Sequence, residues 1–273
     1  MLDRASQDTQ MQRAKGCARI GFTHKSGSTR LESLHQSGCL KALLPNVHNT
    51  SPEIVFVNTA GGITGGDQLD ISCSISAQSE ATATTQTAER LYRSTGDNAY
   101  INIHLKVDEN AKFFWLPQET IVFDGARLTR RMNVEVAPSG SVLLLESFML
   151  GRKAMGEKVL QCDLSDQWRV RLGDKLVFAE SMKIGDVSGL SSVAALKDNL
   201  AFATFAFVEK DAHQKLSWLN SLLAGLDIRA AASGWNDVLV ARFVAPDAFT
   251  LRSALFTVLE QFNKRPLPRV WQL

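Results

Sequence analysis

Four glycines and a carboxylate fall within seven residues of the run Asn58-Thr59-Ala60-Gly61-Gly62-Ile63-Thr64-Gly65-Gly66-Asp67-Gln68-Leu69. The interval from Gly61 to Gly66 matches the glycine frame of a phosphate-binding P-loop, whose backbone N–H groups cradle a nucleotide. Asp67 stands where that loop needs lysine, and Gln68 where it needs serine or threonine. A carboxylate there repels a β- or γ-phosphate, so a nucleotide role fails on charge. A glycine loop presenting an acid suits a cation or a protein partner instead.

Two glutamates stand out by the faces they occupy. Glu146 shares strand parity with Val142, Leu144, Phe148 and Leu150, and the opposite parity of the same run is nearly as apolar. Glu180 shares parity with Leu176, Phe178, Met182 and Ile184. Both read as buried, where an ionised carboxylate needs a cation, a metal or water to avoid a large desolvation cost. Pairing with an internal arginine such as Arg130 or Arg152 meets that need as well as a ligand does.

Other candidates have plainer explanations. Asp124 opens an Asp-Gly turn, and the turn alone accounts for it. Glu119 follows Pro117-Gln118 at a strand start and reads as solvated. As a glycosidase-like acid and base, Glu119 and Asp124 would stand about 16 Å apart on opposite strand faces, which is poor geometry for that work. The five histidines show neither H-x-H nor H-E-x-x-H spacing, and no nucleophile elbow is present.

The elements that must position these residues are mostly strands. Period-2 alternation marks Gln68–Ile75, Ala99–Val107 and Arg127–Val136. Further strand-like runs are Ile54–Val57, Lys112–Leu116, Glu119–Phe123, Ser141–Leu150, Trp168–Ile184, Phe202–Val208 and Val238–Val244. Many short strands between turn signals predict a mostly β sandwich, barrel or β-helical stack. Asp124-Gly125 predicts a hairpin. Asp247 predicts the cap of a helix running to Asn263, stopped by Arg265-Pro266-Leu267-Pro268, and a shorter helix is predicted over residues 211–224.

Composition narrows the classes. The 273 residues suffice for a sizeable core, with 45% hydrophobic and 21% charged residues. With 30 basic and 28 acidic side chains the net charge is +2, which gives no footprint for nucleic acid. Cys17, Cys39, Cys73 and Cys162 are scattered, against a zinc site, a redox pair or a disulfide framework. Residues 1–15 are polar and read as flexible, without the apolar core of a signal peptide. The longest apolar run, Val142 to Leu150, is too short to span a bilayer and carries Glu146. A reduced, cytoplasmic, non-membrane protein of one domain over 1–273 is expected.

Five stretches together resemble the urease accessory protein UreD (UreH) family: NTAGGITGGDQL (58–69), TTQTAERLYRS (84–94), LPQETIVFDGARLTRR (116–131), ESFMLGRKAMGE (146–157) and RPLPRVWQL (265–273). They span most of the chain in that family's order, and GG-x-TGGD and GR-x-AMGE are specific. Gln68 departs from the pattern, where such proteins usually carry a basic residue after GGD. The resemblance implies a mostly β, β-helix-like stack of short strands with a few α-helices, one near the C-terminus. It implies no enzymatic activity and no tightly bound cofactor. It further implies binding to apo-urease, to a helical UreF-like accessory protein and, through the complex, to a UreG-like GTPase. The UreD-like component would pass Ni²⁺ in transit through an internal, water-filled tunnel. Asp67, Glu146 and Glu180 become candidate nickel contacts, and Gly61, Gly62, Thr64, Gly65 and Gly66 the motif loop. Glu89, Arg90, Tyr92, Arg93, Glu119, Asp124, Arg152 and Glu157 become candidates for the tunnel or an interface. The competing class is a β-scaffold hydrolase using paired carboxylates among Glu119, Asp124, Glu146 and Glu180.

Overall fold

The computed structural model describes residues 12–46, 51–152, 155–263 and 266–272. Residues 1–11, which hold most of the segment expected to be flexible, lie outside these, as do Lys153, Ala154 and Arg265. The chain first forms β1 (Lys15–Lys25), β2 (Ser28–Gly38), β3 (Leu40–Leu43), β4 (Glu53–Asn58), β5 (Gln68–Ile75) and β6 (Glu80–Thr85). There follow β7 (Glu89–Leu91), β8 (Ala99–Val107), β9 (Lys112–Trp115), β10 (Thr120–Val122), β11 (Arg127–Val136) and β12 (Ser141–Leu150). The last part contains β13 (Gln161–Leu172), β14 (Lys175–Asp186), β15 (Ala201–Val208), α1 (Leu216–Leu223), β16 (Arg229–Trp235), β17 (Val238–Ala245) and α2 (Ala248–Asn263).

These strands make two stacked sheets. The first runs β14-β13-β11-β8-β5-β1-β2, and the second β16-β17-β15-β12-β9-β6-β4-β3, with β10 beside β12 and β7 beside β10. Between β1 and β13 in the first sheet, and between β4 and β12 in the second, neighbours are parallel. Successive segments alternate between the sheets, so the chain winds as a mostly β solenoid. One turn takes about thirty residues: Asn98 donates to Thr129, and Arg93 pairs with Asp124, each 31 residues further on. Antiparallel hairpins finish the stack at β1–β2 and β13–β14 in one sheet, and at β3–β4 and β15–β17–β16 in the other.

Alternation sets the core. Leu69, Ile71, Ile101, Ile103, Leu128 and Met132 point from the first sheet onto Phe56, Phe113, Trp115, Val142 and Leu144 of the second, all at most 8% exposed. The outer face of the second sheet is also covered. Leu143, Leu145, Phe205, Phe207 and Phe243 pack there with Leu251, Leu255 and Val258 of α2, and with Leu267 and Trp271 of the tail. Hence every residue of β12 is buried. Asp247 caps α2 by accepting the Thr250 N–H at 2.9 Å.

Three expectations change. Asp124-Gly125 makes a turn but no hairpin, because β10 and β11 belong to different sheets. A solenoid corner and a hairpin call for the same turn residues, so the dipeptide cannot distinguish them. The single run expected over 168–184 is the end of β13 and most of β14, folded back through Gly173 with φ +55°. The shorter expected helix contracts to α1, preceded by a 3-10 turn over Ala212–Lys215.

Candidate functional site

A cavity of about 150 Å³ lies between the two sheets. By the same measure one water needs roughly 10–15 Å³, so several fit. Leu69, Ile71, Ile101 and Ile103 form one wall, and Phe56 and Trp115 the other. The rim carries Asn58, Gly61, Glu89 and Arg90, with Gln86 to Ala88 beside them. At the deep end stand Arg130 and Glu146, each 3% exposed.

The glycine loop builds the rim. Ile63 joins the short strand β7, donating to the Arg90 carbonyl at 2.7 Å and accepting from the Tyr92 N–H at 2.8 Å. The loop passes so close to its neighbours that a Cβ on Gly65 would collide with Ser94 Oγ and the Asp97 carbonyl. One on Gly62, which has φ +150°, would collide with the Tyr92 ring and crowd the Arg90 carbonyl. Thr64 Oγ1 donates to the Arg93 carbonyl at 2.9 Å. Asn58 Nδ2 reaches both the Gly62 carbonyl at 3.2 Å and the Glu89 carboxylate at 3.3 Å, tying the loop to the acid at the mouth. Burial pushes the Glu89 pKa up to about 7, against the pull of the Asn58 amide.

Asp67 does not reach the cavity. Oδ1 accepts the Ala14 N–H at 2.7 Å and Oδ2 the Thr64 N–H at 2.8 Å, so both oxygens hold backbone. These hydrogen bonds make Asp67 a fixing point for the loop. It also secures Ala14 at the head of β1.

Glu146 lies on the cavity side of β12. Oε1 accepts the Trp115 Nε1–H at 2.9 Å, and Oε2 pairs with Arg130 Nη1. Arg130 in turn grips Asp166 with two parallel bonds, Nε to Oδ1 at 2.9 Å and Nη2 to Oδ2 at 2.8 Å. Trp168 Nε1 donates to the same Asp166 at 3.1 Å, and the guanidinium sits 4.8 Å over the Phe148 ring. Burial raises the Glu146 pKa above the ordinary carboxylate range, with the Arg130 charge opposing it. Burial also works against the Arg130 charge, but Asp166 and Glu146 outweigh it and raise that pKa. A fixed cation is thus shared by two carboxylates, only one of which faces the cavity.

Glu180 departs from expectation. Its parity does place it opposite Trp168, but β14 is the last strand of its sheet and no further turn covers it. It is half-buried, pairs with Arg242 of the other sheet, and does not line the cavity with Glu146.

The remaining motif residues divide into two groups. Glu89 and Arg90 belong to the mouth. Tyr92, Arg93, Asp124, Arg152 and Glu157 gather on the surface around Phe123. There Tyr92 meets the ring edge-on at 5.0 Å, Arg152 lies 4.2 Å over it and bonds Glu157 at 2.7 Å, and Arg93 pairs with Asp124. The Leu160 and Gln161 N–H groups hold the Asp124 carboxyl below its usual pKa, which suits a turn acceptor and not a general acid. Glu119 sits with Ser147 toward α2, on the side of the second sheet away from Glu146. The four acids of the hydrolase reading therefore do not converge.

Asp166, Trp115, Trp168 and Gln118 escaped the sequence reading. Asp166 alternates with Cys162, Leu164, Trp168 and Val170, all buried, so the parity signal that marks Glu146 was also present there. Gln118, 5% exposed, lines the cavity toward the C-terminus, and Arg252 of α2 donates to its Oε1. Among the described residues no helix is long and apolar enough to cross a membrane.

The family model described as "UreD urease accessory protein" matches residues 14–272. A urease accessory protein UreD of Jannaschia sp. (strain CCS1) is 43% identical over 274 residues, covering 100% of both chains. Those of Chelativorans sp. (strain BNC1) and Dinoroseobacter shibae are 41% and 42% identical over 265 residues, covering 96% of this chain and 95% and 94% of theirs. The chain belongs to the UreD family of urease accessory proteins.

Proposed function

We propose that this protein serves urease maturation as a non-catalytic nickel-insertion chaperone, with Ni²⁺ as its cargo and the inter-sheet cavity as the path. The observation that carries this reading is the placement of Glu89 at the mouth and Glu146 at the deep end of one cavity large enough for several waters. The metal would be met by oxygen donors: the Glu89 carboxylate, the Asn58 and Gln118 amides and the Glu146 carboxylate. Thiolates and imidazoles hold nickel more tightly than such groups do. A conduit must bind well enough to admit an ion and weakly enough to release it, and sparse oxygens with water suit that task.

In this reading the chain binds apo-urease and a helical UreF-like protein, and receives nickel through a UreG-like GTPase. The surface cluster around Phe123 and the glycine rim lie beside the mouth and would form part of such a contact. The test is activation of apo-urease by Ni²⁺ in the assembled complex. Glu89→Gln and Glu146→Gln should each abolish most activation while the chain still co-purifies with urease. Full activation by both variants would refute passage through this cavity.

A further inference from the structure

Among the described residues Arg130 is the one cation at the deep end of the cavity, and its geometry is unequal toward its two carboxylates. Asp166 takes the Nε and Nη2 fork and adds the Trp168 N–H, so both its oxygens are engaged away from the cavity. Glu146 receives only Nη1, plus the Trp115 N–H on its other oxygen, and faces the cavity. The guanidinium is clamped by the fork and lies against the Phe148 ring, so Arg130 is the fixed member of the contact. Glu146 is the group that can exchange one cation for another.

We propose that Arg130 is a counter-cation that competes with the travelling divalent ion for Glu146, so that the deep carboxylate is a transit point and not a trap. This rests on the reading of the cavity as the nickel path. A carboxylate pair with no internal cation would hold a divalent ion by charge alone, and more strongly in a low-dielectric interior than in water. With Arg130 in place, an arriving ion must displace Nη1 from Glu146 and then sit near a fixed positive charge. Both effects weaken binding and speed release. The departing ion leaves Glu146 to return to Nη1, so no buried carboxylate is stranded at any stage. Asp166 and Trp168 act as positioning residues, because they keep the guanidinium from following Glu146 toward the metal.

The experiment measures Ni²⁺ affinity of the full chain by equilibrium dialysis, its release to a chelator in stopped flow, and urease activation in the complex. Arg130→Met should bind Ni²⁺ at least about ten-fold tighter, or ~1.4 kcal/mol, release it correspondingly more slowly, and activate urease less. Tighter binding is a gain that loss of structure does not produce. Arg130→Lys, which returns a charge without the fork, should bring affinity back toward wild type. Because Arg130→Met strands Asp166, the double variant Arg130→Met with Asp166→Asn removes both members of the pair, keeps an acceptor for Trp168, and should also bind more tightly. Unchanged or weaker Ni²⁺ binding in the double variant overturns the proposal. If Glu89→Gln and Glu146→Gln leave activation intact, the nickel path itself falls. If they abolish it while the Arg130 variants bind like wild type, only the counter-cation role falls.

Discussion

Replacing Glu89 by glutamine should make the folded chain more stable above neutrality and at the same time stop nickel at the mouth of the cavity. Burial raises the Glu89 pKa from 4.5 to about 7, while the unfolded chain releases that proton near the ordinary value. Between those limits the folded state binds more protons than the unfolded one, so stability falls as pH rises through the window. The shift is about 2.5 units (7 minus 4.5). At ~1.36 kcal/mol per unit the ceiling is about 3 kcal/mol. Solvent at the rim screens this half-buried group, which brings the expected effect down to about 1–2 kcal/mol. The amide keeps an acceptor for Asn58 and has no charge to desolvate. Urea denaturation of wild type and Glu89→Gln should therefore show almost no gap at or below about pH 4 and a gap of about 1–2 kcal/mol in favour of the variant near about pH 8. Activation of urease should fall in the same variant, so lost activity cannot be ascribed to lost structure. A stability gap that does not change with pH, or a wild type that is the more stable at the alkaline end, would refute the reasoning about burial at this site.

Three further outcomes follow from the geometry. Gly65→Ala drives a methyl into Ser94 Oγ and the Asp97 carbonyl and should cost about 1–3 kcal/mol, read as a lower midpoint in thermal denaturation. Asp67→Ala leaves the Ala14 and Thr64 N–H groups without acceptors and should cost about 2–3 kcal/mol, with the nickel affinity of the folded protein unchanged in dialysis. Glu180→Gln removes only a half-exposed pair with Arg242, so it should cost less than ~1 kcal/mol and leave urease activation at the wild-type level. A collapse of activation in that variant would put Glu180 on the path after all.

Much of the scaffold was legible because alternation is a local property. The boundaries of β5, β8 and β11 coincide with runs read from alternation, and those of β12 with a run apolar on both faces. Some strands escaped because they carry no alternation to read. In β2 nearly every residue is exposed, since it is an edge strand with no layer against either face, and a sequence without an apolar side gives no period to find. The short strands β3 and β7 are defined by the neighbours they bond, not by their own residues.

What the sequence determined by itself was which side chains could not be indifferent to their surroundings. A carboxylate among apolar neighbours of one parity must be compensated, and that argument marked Glu146 and named Arg130 as a possible partner. The same test was available at Asp166. Tertiary structure decided which of these residues meet. Arg130 and Asp166 lie 36 residues apart, about one turn of the solenoid, while Glu146 comes from the opposite sheet. No local pattern encodes either distance. The structure also separated Glu180 from Glu146, two residues with the same parity signature, because burial depends on whether a further strand covers the site. Glu146 has neighbours on both sides and Glu180 has an edge. The glycine run shows the same division: its chemistry excluded a phosphate at once, but only the fold showed that Asp67 anchors the loop, and that the loop meets the cavity through Asn58 and Glu89.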